Sequence, residues 1–180
     1  MPYDFPMRAS RDKAYMVADQ RFAAGRPDVL CFTTEPLAGD VTFAGGIRAV
    51  LQAAISTTDA DFVVKLIDVW PDNTEYPGYQ MLVRGDIMRG RYRRSFSAPE
   101  PFTPGEPTEV AFTMPDIAHT FRKGHRIMVQ VQSSWFPLAD RNPQQFVDIY
   151  RCAASDFIPC DVRIYHDRRR PSRLEVLRLR

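Results

Sequence analysis

From Val29 onward, apolar positions recur every second residue, the spacing of strands that bury one face. Residues 29–34 are β-branched or aromatic and stop at Glu35-Pro36. Ile47, Ala49, Leu51, Ala53 and Ile55 alternate with Arg48, Val50, Gln52 and Ala54 behind a Gly45-Gly46 turn, which predicts a half-buried strand. Residues 62–70 are apolar on both faces except at Lys65 and Asp68, as a central strand would be. Residues 79–94 read as one long strand, bent or bulged at Gly85 and Gly90. Val110, Phe112 and Met114 share a side within 109–114. Ile127, Val129 and Val131 point inward within 126–134. Shorter pieces follow at 146–150, 161–165 and 173–179, the last shifting register between Val176 and Leu177. The pattern predicts roughly nine strands and little helix, an all-β chain. Two antiparallel sheets packed face to face bury that pattern most economically.

The first 28 residues are different. Tyr3, Phe5, Tyr15 and Phe22 are scattered among polar residues, with room for one short helix at 13–22. This stretch has too little periodicity to make a core and reads as an arm, residues 1–28, ahead of a sandwich at 29–180. Fifteen prolines, many between apolar runs, punctuate short elements rather than long helices.

Composition narrows the class. With 44% hydrophobic and 26% charged residues in 180, the chain is one globular domain. The 24 Lys+Arg against 22 Asp+Glu leave +2, too little basic excess for a dedicated nucleic-acid partner. No run is long enough to span a bilayer, so no membrane partner is expected, and residues 1–25 lack the apolar stretch of a signal peptide. Cys31, Cys152 and Cys160 are odd in number and read as thiols, with a Cys152–Cys160 bridge left open.

Candidate chemistry is sparse. GxSxG does not occur, and Ser133-Ser134 after a strand has no glycine frame. His119, His125 and His166 lack metal-binding spacing and are expected at the surface or in loops. No glycine motif cradles phosphate, and no cofactor is implied. Asp59 and Asp61 fit either a turn or, with backbone carbonyls, a Ca²⁺ site. Lys65 and Asp68 read as an internal charge network. Arg89, Arg91 and Arg93 recur at spacing two, a ladder on one strand face open to solvent, to a docking protein or, least well, to nucleic acid. No catalytic residue is assigned.

Several blocks then resemble a known module. These are Tyr15-Met16-Val17-Ala18-Asp19-Gln20-Arg21-Phe22-Ala23, Arg26-Pro27-Asp28-Val29-Leu30, Thr33-Thr34-Glu35-Pro36-Leu37 and the run from Thr58 to Asp72. Phe121-Arg122-Lys123-Gly124-His125-Arg126-Ile127, Ser133-Ser134-Trp135-Phe136-Pro137 and Asp140-Arg141-Asn142-Pro143 complete the set. In this order they resemble the C-terminal jelly-roll domain of the cocaine esterase / X-Pro dipeptidyl-peptidase group of serine hydrolases. That group includes glutaryl-7-aminocephalosporanic acid acylases and α-amino-acid ester hydrolases. The resemblance implies a galactose-binding-domain-like jelly roll whose partner is an α/β-hydrolase catalytic domain, in cis or separately encoded. The catalytic triad would lie in that domain, outside this chain. It implies an accessory role, supporting the catalytic domain and shaping its pocket, with a homo-oligomer open. The compartment is left open: cytoplasmic, or periplasmic or secreted if the parent carries a signal.

Trp135, Phe136, Asp140, Arg141 and Asn142 are the candidate interface or pocket-wall residues. A rigid aromatic pair before an Asp-Arg-Asn-Pro turn suits an interface loop. It equally suits a plug at the sandwich end, with Arg141 paired internally. A carbohydrate- or peptide-binding module is the alternative, with Trp70, Tyr76, Tyr79 and Trp135 as a stacking platform.

Overall fold

A computed structural model describes residues 17–179. Its strands are β1 (Val29–Thr33), β2 (Val41–Ile55), β3 (Asp61–Val69), β4 (Gln80–Arg89), β5 (Thr108–Phe121), β6 (Arg126–Gln132), β7 (Val162–Tyr165) and β8 (Arg173–Arg178). A single helical turn, α1 (Arg21–Ala24), precedes them. One antiparallel sheet has the order β1–β6–β3–β4. The second has the order β5–β2–β7, with β8 also pairing β2, so β7 and β8 share the same flank of that long strand.

The predicted alternation sets the core. Ile47, Ala49, Leu51, Ala53 and Ile55 of β2 meet Phe62, Val64 and Leu66 of β3, with Val110, Phe112 and Met114 of β5 beside them. Each large side chain removed from water there contributes on the order of 1.5–3 kcal/mol. β3 is buried on both faces because its other side is covered too. Gln20 and Ala23 of the arm lie buried. Gln20 N–H donates to the Gln80 carbonyl, and Tyr79 donates its hydroxyl proton to the Val17 carbonyl. The described part of the arm therefore packs on this domain's own first sheet.

Four expectations change, and the register break beside Leu177 is found where it was expected. The strand predicted at 47–55 starts at Val41 and runs through Gly45-Gly46, where the ladders to β5 and β8 shift register instead of turning. The register break expected beside Leu177 is the same irregularity seen from β8, with Leu177 Cδ1 3.2 Å from where a Gly45 Cβ would sit. The long strand 79–94 stops at Arg89. A side chain at Gly90 would meet the Ala60 carbonyl at 2.5 Å, and the chain turns there into a short 3₁₀ segment, Gly90–Tyr92. Residues 146–150 form no strand. Of the helix expected at 13–22, residues 13–16 lie outside the described residues, and the helical turn itself falls at Arg21–Ala24.

Candidate functional site

The five candidate residues lie in the long connection from β6 to β7, and the structure divides them. Trp135 is buried. Its ring lies 5.2 Å from Lys65 Nζ and so close to Gly85 that a Cβ there would meet Cη2 at 2.5 Å. Only glycine leaves space for that indole. Asn142 is also buried, and its amide donates to Asp59 Oδ2 at 3.0 Å and Asp61 Oδ1 at 2.8 Å. Its own Oδ1 accepts the Gln144 N–H at 2.8 Å, fixing Gln144 at a φ of 67°. Phe136, Asp140 and Arg141 remain at the surface. The Arg141 guanidinium lies 4.9 Å from the Phe157 ring.

What holds this loop is a network that the sequence displayed without revealing its use. Arg91 Nε donates to Asp59 Oδ2 at 2.7 Å, and the Arg91 N–H donates to Asp59 Oδ1 at 3.1 Å. The same guanidinium reaches the Val147 carbonyl at 2.8 Å and lies over the Phe146 ring at 4.8 Å. Arg89 pairs with Asp61 at 3.3 Å and donates to the Asp140 carbonyl at 3.2 Å. Burial pushes the Asp61 carboxyl up, while the Asn142 amide and Arg89 pull against that shift. Arg93 serves the neighbouring turn, donating to the Glu100 and Pro101 carbonyls above the Phe102 ring. The arginine ladder is therefore not a solvent or docking face. Its members are turned onto carboxylates and carbonyls of this domain, since the strand ends at Arg89 and the spacing-two geometry ends with it. The detectable signal was the pair of motifs Asp59-x-Asp61 and Arg89-x-Arg91, which the Asp61–Arg89 register brings face to face.

Asp59 and Asp61 thus hold cations of the protein's own. Among the described residues no cluster of His, Cys, Asp and Glu is arranged to hold a metal. The cysteines are free thiols, with the Thr57 hydroxyl donating to Cys160 Sγ at 3.1 Å.

At the opposite end of β3, Asp68 is buried between two imidazoles, His125 Nδ1 at 2.8 Å and His119 Nε2 at 3.0 Å. His119 lies on β5 and His125 in the turn before β6, and both side chains are largely buried rather than exposed. Lys65 and Asp68, three apart on a strand, face opposite sides and make no common network. Lys65 donates to Gln20 Oε1 at 2.9 Å, and burial holds its amine down at about 8. Trp70, Tyr76 and Tyr79 cluster near His125, but Trp70 meets both tyrosines edge on, at 72° and 76°, with centroids 6.1 and 5.7 Å away. Trp135 stands apart on Lys65. A flat platform for stacking a sugar is not formed by these four rings.

Beside the loop, Ser133, Ser134, Arg141, Asn142, Phe157 and Ile158 line a depression of about 350 Å³. The loop is fastened from below by Asn142 and Trp135 and shows Phe136 and Arg141 above.

The model of the X-Pro dipeptidyl-peptidase C-terminal non-catalytic domain matches residues 8–175. The chain is 44% identical over 125 residues to a cocaine esterase of Rhodococcus sp. (strain MB1 Bresler), covering 69% of this chain and 21% of that one. An aminopeptidase from a marine sediment archaeon, Thaumarchaeota archaeon, superposes with a TM-score of 0.92 at 42% identity, over 98% of this chain and 30% of that one. A selenomethionine-labelled α-amino acid ester hydrolase superposes with a TM-score of 0.87 at 47% identity, over 89% and 27%. The chain thus spans about a fifth of the length of the curated relative and under a third of these solved structures.

Proposed function

The chain belongs to the family of X-Pro dipeptidyl-peptidase C-terminal non-catalytic domains, and from that footing we propose that it is the accessory sandwich of a larger serine α/β-hydrolase acting on esters or amides. Its partner is the catalytic domain of that hydrolase, and its task is to steady that domain and to wall part of the substrate entrance. Relatives named as an esterase, an aminopeptidase and an α-amino acid ester hydrolase support acyl transfer from oxygen or nitrogen as the shared chemistry. The observation that carries the reading is the divided loop. Trp135 and Asn142 anchor it inward, while Phe136, Asp140 and Arg141 face out beside the depression lined by Phe157.

That division supplies what a pocket wall needs. A surface loop ordered before its partner arrives loses less conformational entropy on docking. Buried ion pairs and an amide clamp hold the loop that carries the outward groups. The test is a chimera in which this chain replaces the matching region of the α-amino acid ester hydrolase. Restored activity, lowered by Phe136→Asp or Arg141→Glu while the sandwich itself stays folded, supports the proposal. A catalytic domain equally stable and active without any such region sinks it.

A further inference from the structure

Four residues form one row across the outer face of the first sheet. The register sets Cys31 of β1 opposite Gln130 of β6, Gln130 opposite Lys65 of β3, and Lys65 opposite Gly85 of β4. Facing residues of neighbouring strands project to the same side. Two distant parts of the chain cover this row. From one side comes the entering segment, residues 17–24, held to β4 where the Gln20 N–H donates to the Gln80 carbonyl and Asp19 Oδ1 accepts the Gln80 N–H at 3.2 Å. From the other comes the indole of Trp135, lying against Gly85.

Lys65, only 1% exposed, touches both covers. Its Nζ donates to Gln20 Oε1 at 2.9 Å and lies 5.6 Å from the Phe22 ring and 5.2 Å from the Trp135 ring. Both rings are within the range over which a π face attracts a cation. An ammonium has three protons to place. Among the described residues, a neutral amide and two ring faces receive them where a carboxylate would ordinarily stand. Such partners are weak one at a time, so the buried charge is tolerated only while both covers sit on it. Trp135 in turn begins the β6–β7 loop. Its carbonyl accepts the N–H groups of Leu138 at 2.8 Å and Ala139 at 3.1 Å, the turn that delivers Asp140 and Arg141 to the surface.

We propose that Lys65 is a positioning residue of the parent hydrolase, its ammonium joining the segment by which the chain enters the sandwich to the root of the β6–β7 loop. A shift of either is then felt by the other. Taken with the reading of that loop as pocket wall, on which this role rests, the seat of the entering segment sets the shape of the substrate entrance. Few charges face the amine. Burial, and then the Arg26 guanidinium of the entering segment, hold it down at about 8, with Cys31 of β1 pulling the other way. Burial also pushes the Cys31 thiol up. Gln130, Gly85 and Trp135 bring no charge. The joint can therefore be loosened by removing one proton from the folded chain.

The test uses the 180-residue chain with Trp70→Phe, which leaves Trp135 as its one indole. Acrylamide quenching of that indole reads the seating of the loop. Gln20→Ala should raise the quenching constant about two- to fivefold, by freeing the cation from its amide, and should change nothing in the Lys65→Met background. Emission from Trp135 should titrate with a midpoint of about 8, a transition kept in Cys31→Ser and absent in Lys65→Met. Met has a similar volume without the charge, so Lys65→Met should keep the circular dichroism spectrum of the parent chain. Quenching indifferent to Gln20→Ala, or raised equally in the Lys65→Met background, overturns the joint. So does a transition at that pH that survives Lys65→Met. In the chimera with the α-amino acid ester hydrolase, Lys65→Met should raise KM several-fold with kcat nearly kept. An active chimera whose KM ignores Lys65→Met overturns the positioning role, while an inactive chimera removes the pocket-wall reading and leaves the quenching result to decide the joint.

Discussion

β3 ends in a buried carboxylate on each side, and the two ends handle it in opposite ways. At its start, Asp61 and the neighbouring Asp59 are held by Arg89, Arg91 and the Asn142 amide, with Asp59 wholly out of water. Near its finish, Asp68 sits between His119 and His125, whose rings keep some access to solvent. The first arrangement uses partners with permanent charge or fixed dipoles, and these same partners grip the Val147 and Asp140 carbonyls of the β6–β7 loop. The second joins the two sheets to each other, β3 to β5, and positions nothing that faces outward except the aromatic cluster around Trp70. Burying charge is costly unless it is fully paired. The fold accepts that cost most heavily where it holds the long β6–β7 loop.

That contrast fixes an order of effects. Arg91→Ala should be the most damaging change, about 3–5 kcal/mol in urea denaturation, because Asp59 is left buried without its cation. The same variant should open the loop near Val147 to limited proteolysis. Asp68→Ala should cost less, about 1–3 kcal/mol, since the freed imidazole nitrogens can reach water. A reversal of these two would break the comparison. Lys65→Met should act in the other direction and stabilise the chain at neutral pH by about 1–2 kcal/mol, because among the described residues the buried ammonium has no carboxylate partner. Its pH dependence follows from the lowered amine. The unfolded chain holds that proton up to the ordinary 10.5 and the folded chain only to about 8, so native stability should rise between pH 8 and 10.5 and the Met variant should lose that rise. Arg141→Ala should be the mildest, under about 1 kcal/mol, because only an exposed contact with Phe157 is lost.

The sequence pattern revealed what the period-two rule governs and little that depends on distant partners. β6 and the second half of β2 were legible because their alternation is clean, and β3 because it is apolar on both faces apart from Lys65 and Asp68. The far half of β5 was not, because Pro115-Asp116 reads as a turn. The ladder instead steps from Met114 opposite Ile47 to Ile117 opposite Gly45, an extra residue on an edge strand that can spare the proline's missing donor. Residues 146–150 have strand-like composition. The nearby carbonyls of Gln145 and Val147 accept from Arg91, a residue more than fifty positions away, so no local signal could show it. The candidate site was legible to the same degree. Its five residues do share one loop, but alternation could not tell that Trp135 and Asn142 point inward, since both are placed by Lys65, Gly85 and the two aspartates on other strands.

The central claim is that this domain supports chemistry performed elsewhere. The direct measurement is to incubate the purified chain with an activated ester and, in parallel, with a fluorophosphonate that labels reactive serines. The account predicts hydrolysis at the rate of buffer and no label. Turnover above buffer that the fluorophosphonate abolishes would contradict it.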